Sequence, residues 1–350
     1  MECRSALRDV FSGALLLLCL AAMTGQKQST ASPLPGPAPA NKPAGAAALP
    51  LWAYPVLPPA GAAREDEARP AAARDQTPRH VPGSSRTYTT AYIANLFTVA
   101  DWFPDEHPPM PRPVREGRRP DAYACAYCHL PNGLGRPENA SVAGLPKAYI
   151  IEQVEDFKDG SRRSSEPRMG SVNHMILVAK AVTPDEVKAA ADYFSQLKLT
   201  KWVRGVETDT VPKTHIAGGM LVADAHGTEP IGSRIIEVPV SFEQAELRNP
   251  NSGFIAYVPK GSLKAGETLV RTGGNGKTIA CTICHGPNLH GIDNIPGIAG
   301  RSPSQMARQL IDFRDGARNG PGAALMKLPV AKLTDDDIVA ITAYLASLKP

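Results

Sequence analysis

The chain has 350 residues and a formal net charge of +4 at pH 7. That length allows two domains and a small third, while so mild a charge argues against a nucleic-acid partner or binding to a charged membrane surface. Aromatics are only 6% of residues, so small domains built from this chain need something besides side chains to fill their cores.

At the N-terminus, Arg4 and Arg8 precede an apolar run from Val10 to Met23. The run is too short for a comfortable membrane span but suits the hydrophobic part of a signal peptide covering residues 1–25. Export to a bacterial periplasm follows, and an uncleaved N-terminus would be the only route to membrane association. Residues 31–80 hold 11 Pro and 15 Ala. Such a stretch cannot bury enough apolar surface to order itself, so residues 26–85 read as a disordered Pro/Ala leader, extended and semi-stiff. Ordered structure is expected from about Ser85, with one helix over Tyr88–Phe103. A loop carrying Arg112, Arg115, Arg118 and Arg119 follows; it either steers an acidic partner or is simply solvated.

An internal repeat comes next. Residues 125–163 align with 281–319 at an offset of 156, and 14 of the 39 positions are identical. Asp156-Phe157-Lys158-Asp159-Gly160 matches Asp312-Phe313-Arg314-Asp315-Gly316. At an offset of 151, Met175 meets Met326, Thr183 meets Thr334 and Tyr193 meets Tyr344. A fixed repeat of this length means two copies of one domain, over 86–200 and 263–350. Each copy ends in a helix announced by a capping threonine, Thr183 or Thr334, with an acidic residue three positions on. Val187, Ala190, Ala191, Phe194 and Leu197 form one apolar face; Ile338, Ile341, Thr342, Leu345 and Leu348 form the other. Residues 201–262 differ in texture. They read as an irregular insert with short strands near Ile235–Val240, broken by Pro239, and Phe254–Val258.

Both copies contain C-x-x-C-H: Cys125-Ala-Tyr-Cys128-His129 and Cys281-Thr-Ile-Cys284-His285. This is the attachment signature of c-type haem. Cysteines three apart on a helical turn project to one side, where each can form a thioether with a haem vinyl group. The histidine that follows faces the iron as proximal ligand. A disulfide reading leaves the paired histidines unexplained, and one zinc site is over-supplied by four Cys and two His. Two covalently bound haem c groups are therefore expected. For the distal ligand the repeat alignment selects Met175 and Met326, the only methionines that coincide, each placed in an irregular stretch before the last helix. Near the first, Met169 and His174 are rivals.

The haem regions resemble class I cytochrome c, and the tandem arrangement is similar to the dihaem cytochrome c4 family. The residues that carry the likeness are the two C-x-x-C-H motifs, the Asp-Phe-(Lys/Arg)-Asp-Gly blocks and the Met-containing stretches before the capped helices. The resemblance implies a mainly α fold: two tandem cytochrome c domains joined by the insert. It also implies electron transfer with redox protein partners, a dehydrogenase or a terminal oxidase. Pro296 resembles the family proline whose carbonyl holds the proximal histidine; its counterpart is Ala140. Iron closed on both sides by protein ligands cannot bind substrate, so a carrier is expected and not an enzyme. The alternatives are a cytochrome subunit of a dehydrogenase complex and a dihaem peroxidase.

Overall fold

The computed structural model describes residues 49–56 and 72–350; the expected signal segment and most of the Pro/Ala leader lie outside the described residues. Chain order gives α1 (Cys125–His129), α2 (Lys147–Asp159), α3 (Gly170–Ala181) and α4 (Pro184–Gln196). Strands β1 (Val203–Thr208), β2 (Thr210–Ala217), β3 (Met220–Pro230) and β4 (Ile236–Pro239), helix α5 (Phe242–Glu246) and β5 (Phe254–Pro259) follow. The chain closes with α6 (Ser262–Thr272), α7 (Thr282–His285), α8 (Pro303–Arg314), α9 (Lys327–Val330) and α10 (Asp335–Ser347). Motif turn, long helix and capped last helix thus recur in the same order, α1-α2-α4 and α7-α8-α10.

Both last helices start where their caps require. The Thr183 hydroxyl accepts from the Glu186 amide, while the Glu186 carboxylate accepts from the Thr183 amide at 2.8 Å. Thr334 and Asp337 repeat the arrangement. Two orphan amides are satisfied at each helix start. Val187, Ala190, Ala191 and Phe194 are buried on α4, and Ile338, Ile341 and Leu345 on α10. The α6–α10 contact is unusually close: a Cβ on Gly266 would stand 2.0 Å from the Ala340 carbonyl oxygen.

Burial alone would raise the Asp337 carboxyl, but hydrogen bonds from Lys277 and Thr334 outweigh it and hold it below its ordinary value. Its stabilising contribution is therefore full above the unfolded carboxyl's range near 4 and is lost as pH falls through the lower folded value. Asp337→Asn is expected to cost about 1–2 kcal/mol at pH 7. The gap to wild type should narrow below about pH 4. Urea melts at both pH values measure it, and a pH-independent gap would contradict the account.

The insert is more regular than its sequence suggests. β5 lies between β1, to which it is parallel, and β4, to which it is antiparallel. β4 ends at Pro239, as expected, because proline cannot donate to the ladder. β2 and β3 form a hairpin turned by Gly218-Gly219, both at positive φ. Phe254, Ala256 and Val258 of β5 share one buried cluster with Ile311 of α8 and Ile338 of α10. A mainly α description thus suits the motif-bearing regions but not residues 203–259.

Other expectations fail locally. Tyr88–Phe103 is not one helix: only Thr90–Ile93 is helical. The Asn95 side chain takes the Phe97 amide at 3.1 Å, a local bond that competes with helix continuation. Nor is the leader wholly extended. Trp52, Ala53 and Tyr54 are buried; the Ala53 carbonyl accepts from Arg308 at 2.8 Å and the Tyr54 hydroxyl donates to Asp312 at 2.9 Å. Strands Pro78–Arg79 and Tyr88–Thr89 pair antiparallel.

The repeats meet around two arginine–glutamine pairs. Arg162 donates to Gln153 and Gln309, both at 2.9 Å. Arg318 donates to Gln309 at 3.0 Å and to Gln153 at 2.6 Å. Both residue pairs are identities of the 156-residue alignment, so the ring is pseudo-symmetric. Backbone pairing closes it, Arg163 to Ala317 at 2.8 Å and Asn319 to Ser161 at 2.7 Å. Burial and the neighbouring Arg318 cation pull the Arg162 guanidinium down from its usual range.

Candidate functional site

Each motif occupies one helical turn, which sets its cysteines three apart on one side. The first turn is fastened by the Ala124 amide donating to the Leu96 carbonyl at 2.9 Å. The second is fastened by the Cys281 amide donating to the Val270 carbonyl of α6 at 2.8 Å. Leu130 and Gly286 follow the two turns at positive φ and send the chain away from the histidine.

His129 Nδ1 lies 2.8 Å from the Ala140 carbonyl oxygen, and His285 Nδ1 lies 2.8 Å from that of Pro296. The partner is eleven residues beyond the histidine in both copies. A carbonyl only accepts, so Nδ1 carries the proton and Nε2 keeps its lone pair for a metal. Burial lowers the pKa of both imidazoles, with the Arg162 cation adding to it at His129. Both rings are thus held in the neutral, ligating form. Ala140 takes the place of the proline because the contact uses only backbone.

Cys125, Cys128, Cys281 and Cys284 are thiols, not disulfides. Burial pushes the Cys125 thiol up to about 12 and Cys281 up to about 11. Burial thus favours the thiol over the thiolate at these two positions. Among the described residues no cluster of three His, Cys, Asp or Glu side chains could hold a metal ion.

The methionines differ in setting. Met175 lies within α3, not in an irregular stretch, and is half-buried. Met169 precedes α3 and is buried in the main core. The His174 ring packs edge-on against Tyr123, centroids 5.9 Å apart, so α3 lies alongside the first motif. Met326 ends a 3-10 turn, Pro321–Met326, and is half-buried against the core. The Thr278 hydroxyl donates to the Pro329 carbonyl at 2.7 Å, tying the approach to the second motif to α9. On these two tied segments Ile283, Leu325 and Leu328 are 68%, 72% and 76% exposed. Exposed large apolar side chains on and near these segments suit contact with an apolar group.

The arginines of the loop before the first motif are partly engaged. Arg118 pairs with Glu186 at 3.0 Å, Arg115 with Glu116 at 3.0 Å, and Arg119 lies over the Phe97 ring. Four arginines thus meet two carboxylates, and the Arg112 side chain is 80% exposed. The Arg–Gln ring went unread, although its four residues are identities of the repeat.

The cytochrome c family model matches residues 264–349. Over 233 residues the chain is 27% identical to the thiosulfate dehydrogenase electron acceptor of Thiomonas intermedia (strain K12), covering 65% of this chain and 80% of that one. Identity to cytochrome c4 of Azotobacter vinelandii is also 27% over 233 residues, with 65% and 85% covered. A shorter relative, cytochrome c-554(548) of Halomonas halodenitrificans, is 37% identical over 88 residues, which are 25% of this chain and 96% of that one.

Proposed function

Because the chain belongs to the cytochrome c family, whose members bind haem iron and transport electrons, we propose that it is an exported dihaem electron carrier. Haem iron supplies a one-electron ferric–ferrous couple. Cys125 and Cys128 hold one haem c and Cys281 and Cys284 the other. His129 and His285 are the proximal ligands; Met175 and Met326 are the distal ones. The domains are 86–200 and 263–350, with 201–262 between them and a signal at 1–25.

The observation that carries this reading is the repeated histidine geometry: the same nitrogen, bound to the same kind of acceptor, at the same spacing and distance. A single motif can arise by accident, but a matched pair with its orienting carbonyl in place supports two equivalent centres. With both axial positions closed by side chains, the chain exchanges electrons and does not turn over substrate. The relative named as a thiosulfate dehydrogenase electron acceptor supports a dehydrogenase as donor, with this chain as its soluble or complex-bound acceptor in the periplasm. No described helix is long and apolar enough to cross a membrane.

The test is cofactor stoichiometry. Protein matured by its native apparatus should contain two haems per chain by pyridine haemochrome, both thioether-linked by mass. Cys281→Ala should remove one thioether link and leave the first centre intact. One haem, or rapid peroxide turnover, would sink the reading.

A further inference from the structure

The insert holds the first motif and leaves the second alone. Arg248, just beyond α5, donates from Nη1 to the Tyr127 carbonyl at 2.7 Å. Its guanidinium carbon stands 3.6 Å from the centroid of the Tyr127 ring. Tyr127 is the residue between the two cysteines that immediately precedes Cys128. Two further bonds join the same surfaces. Arg136 donates to the Ala245 carbonyl at 3.0 Å, and the Asn132 amide donates to the Pro250 carbonyl at 3.1 Å.

The Tyr127 carbonyl belongs to a five-residue helix and has no intrahelical donor. A guanidinium there satisfies it and places a cation at the negative end of the turn. Arg136 shares its charge with Glu138 and Glu246. Arg248 makes no carboxylate ion pair among the described residues, and its Nε is buried without a partner. Its charge therefore has no ion-pair partner among the described residues and sits in a half-buried contact, screened less than a fully exposed cation. Arg248 is held there at φ +56, a conformation costly for a non-glycine residue.

Among the described residues the second motif has no comparable contact with the insert. Ile283, the counterpart of Tyr127, is 68% exposed. Asn288 and Ile292, the counterparts of Asn132 and Arg136, are exposed as well. Two motifs of the same design thus sit in different electrostatic settings, and the difference comes from residues outside the repeat.

We propose that Arg248 is a positioning residue for the first centre: it fixes the Cys125–His129 turn and sets a permanent positive charge beside it, separating the two potentials. This rests on the two-haem reading above. A nearby fixed cation favours the reduced iron, which carries one positive charge less, so Arg248 raises the potential of the first centre above that of an otherwise equal site.

Redox titration of the full haem-loaded protein tests it, with Arg248→Gln and Arg248→Lys beside wild type. In Arg248→Gln the ferrous-to-ferric ratio of one centre, at a fixed poise, should fall about tenfold, equivalent to about 59 mV for a one-electron couple. The other centre should not move, and the step that shifts should be the one Met175→Ala also shifts. Arg248→Lys keeps the charge and should retain most of the wild-type separation. Loss of one haem in Arg248→Gln but not in Arg248→Lys supports the same conclusion. Unchanged potentials in Arg248→Gln, equal shifts of both centres, or equal effects of the two variants would overturn it. A wild type with one haem instead refutes the two-haem reading itself, so the two failures are distinguishable.

Discussion

Gly266→Ala is expected to destabilise the protein by about 3 kcal/mol or more, although the same change in an ordinary helix stabilises by about 1 kcal/mol. The sign is the test. Gly266 lies in the middle of α6, where glycine is normally a weakness. Here α10 crosses so closely that an added Cβ would meet the Ala340 carbonyl oxygen at 2.0 Å, its carbon at 2.6 Å and Tyr344 Cβ at 2.7 Å. Two of these are backbone atoms and cannot swing aside. Relief requires α10 to move, and α10 carries Ile338, Ile341 and Leu345 in the main core. Its displacement would also strain the Arg271 contact with the Tyr344 hydroxyl at 2.8 Å. A drop of roughly 6–12 °C in Tm is expected by thermal melt of the haem-loaded protein. An unchanged or higher Tm would mean that the helices are not packed through this glycine.

Met326→Ala should remove half of the weak red methionine–iron charge-transfer band of the oxidised protein and lower one potential while sparing the other. The opened iron position should then bind cyanide. Loss of the thioether removes the ligand that stabilises ferrous iron, and alanine cannot reach to replace it. Met175→Ala should affect the other half of the band. Met169→Ala provides the contrast: Met169 is 3% exposed, so its truncation should cost about 2–5 kcal/mol of stability with the band intact. Should Met169→Ala or His174→Ala abolish the band instead, Met175 would lose its assignment. Spectra of the three variants decide between ligand and core filler, which burial alone does not do.

Much of the site was readable from the sequence because its constraints are local. A cysteine pair three apart with a histidine next to it needs only one turn of backbone, and both turns exist. Capping boxes at Thr183 and Thr334 depend on four consecutive residues, and both close. The Ala140 and Pro296 contacts followed from alignment, since a backbone carbonyl is present whatever the side chain. Features governed by distant partners were hidden. The segment Gly170–Ala181 carries Met-Ile-Leu-Val-Ala without a turn signal, so its helix hangs on packing rather than on a cap. In the Pro/Ala leader, Trp52 and Tyr54 are the only aromatics between residues 31 and 80. They were the trace of a buried arm, but the partners of Ala53 and Tyr54, Arg308 and Asp312, lie over 250 residues away. The insert hairpin had a local mark in Gly218-Gly219, a pair suited to a tight turn between strands.

The Arg–Gln ring ties the fate of each half to the other. Every arginine in it spends donors on glutamines from both copies. Separating the repeats would break the cross-copy bonds, Arg162 with Gln309 and Arg318 with Gln153, and leave each arginine only its own copy's glutamine. A separated copy would therefore expose guanidinium donors that the intact chain satisfies across the repeat.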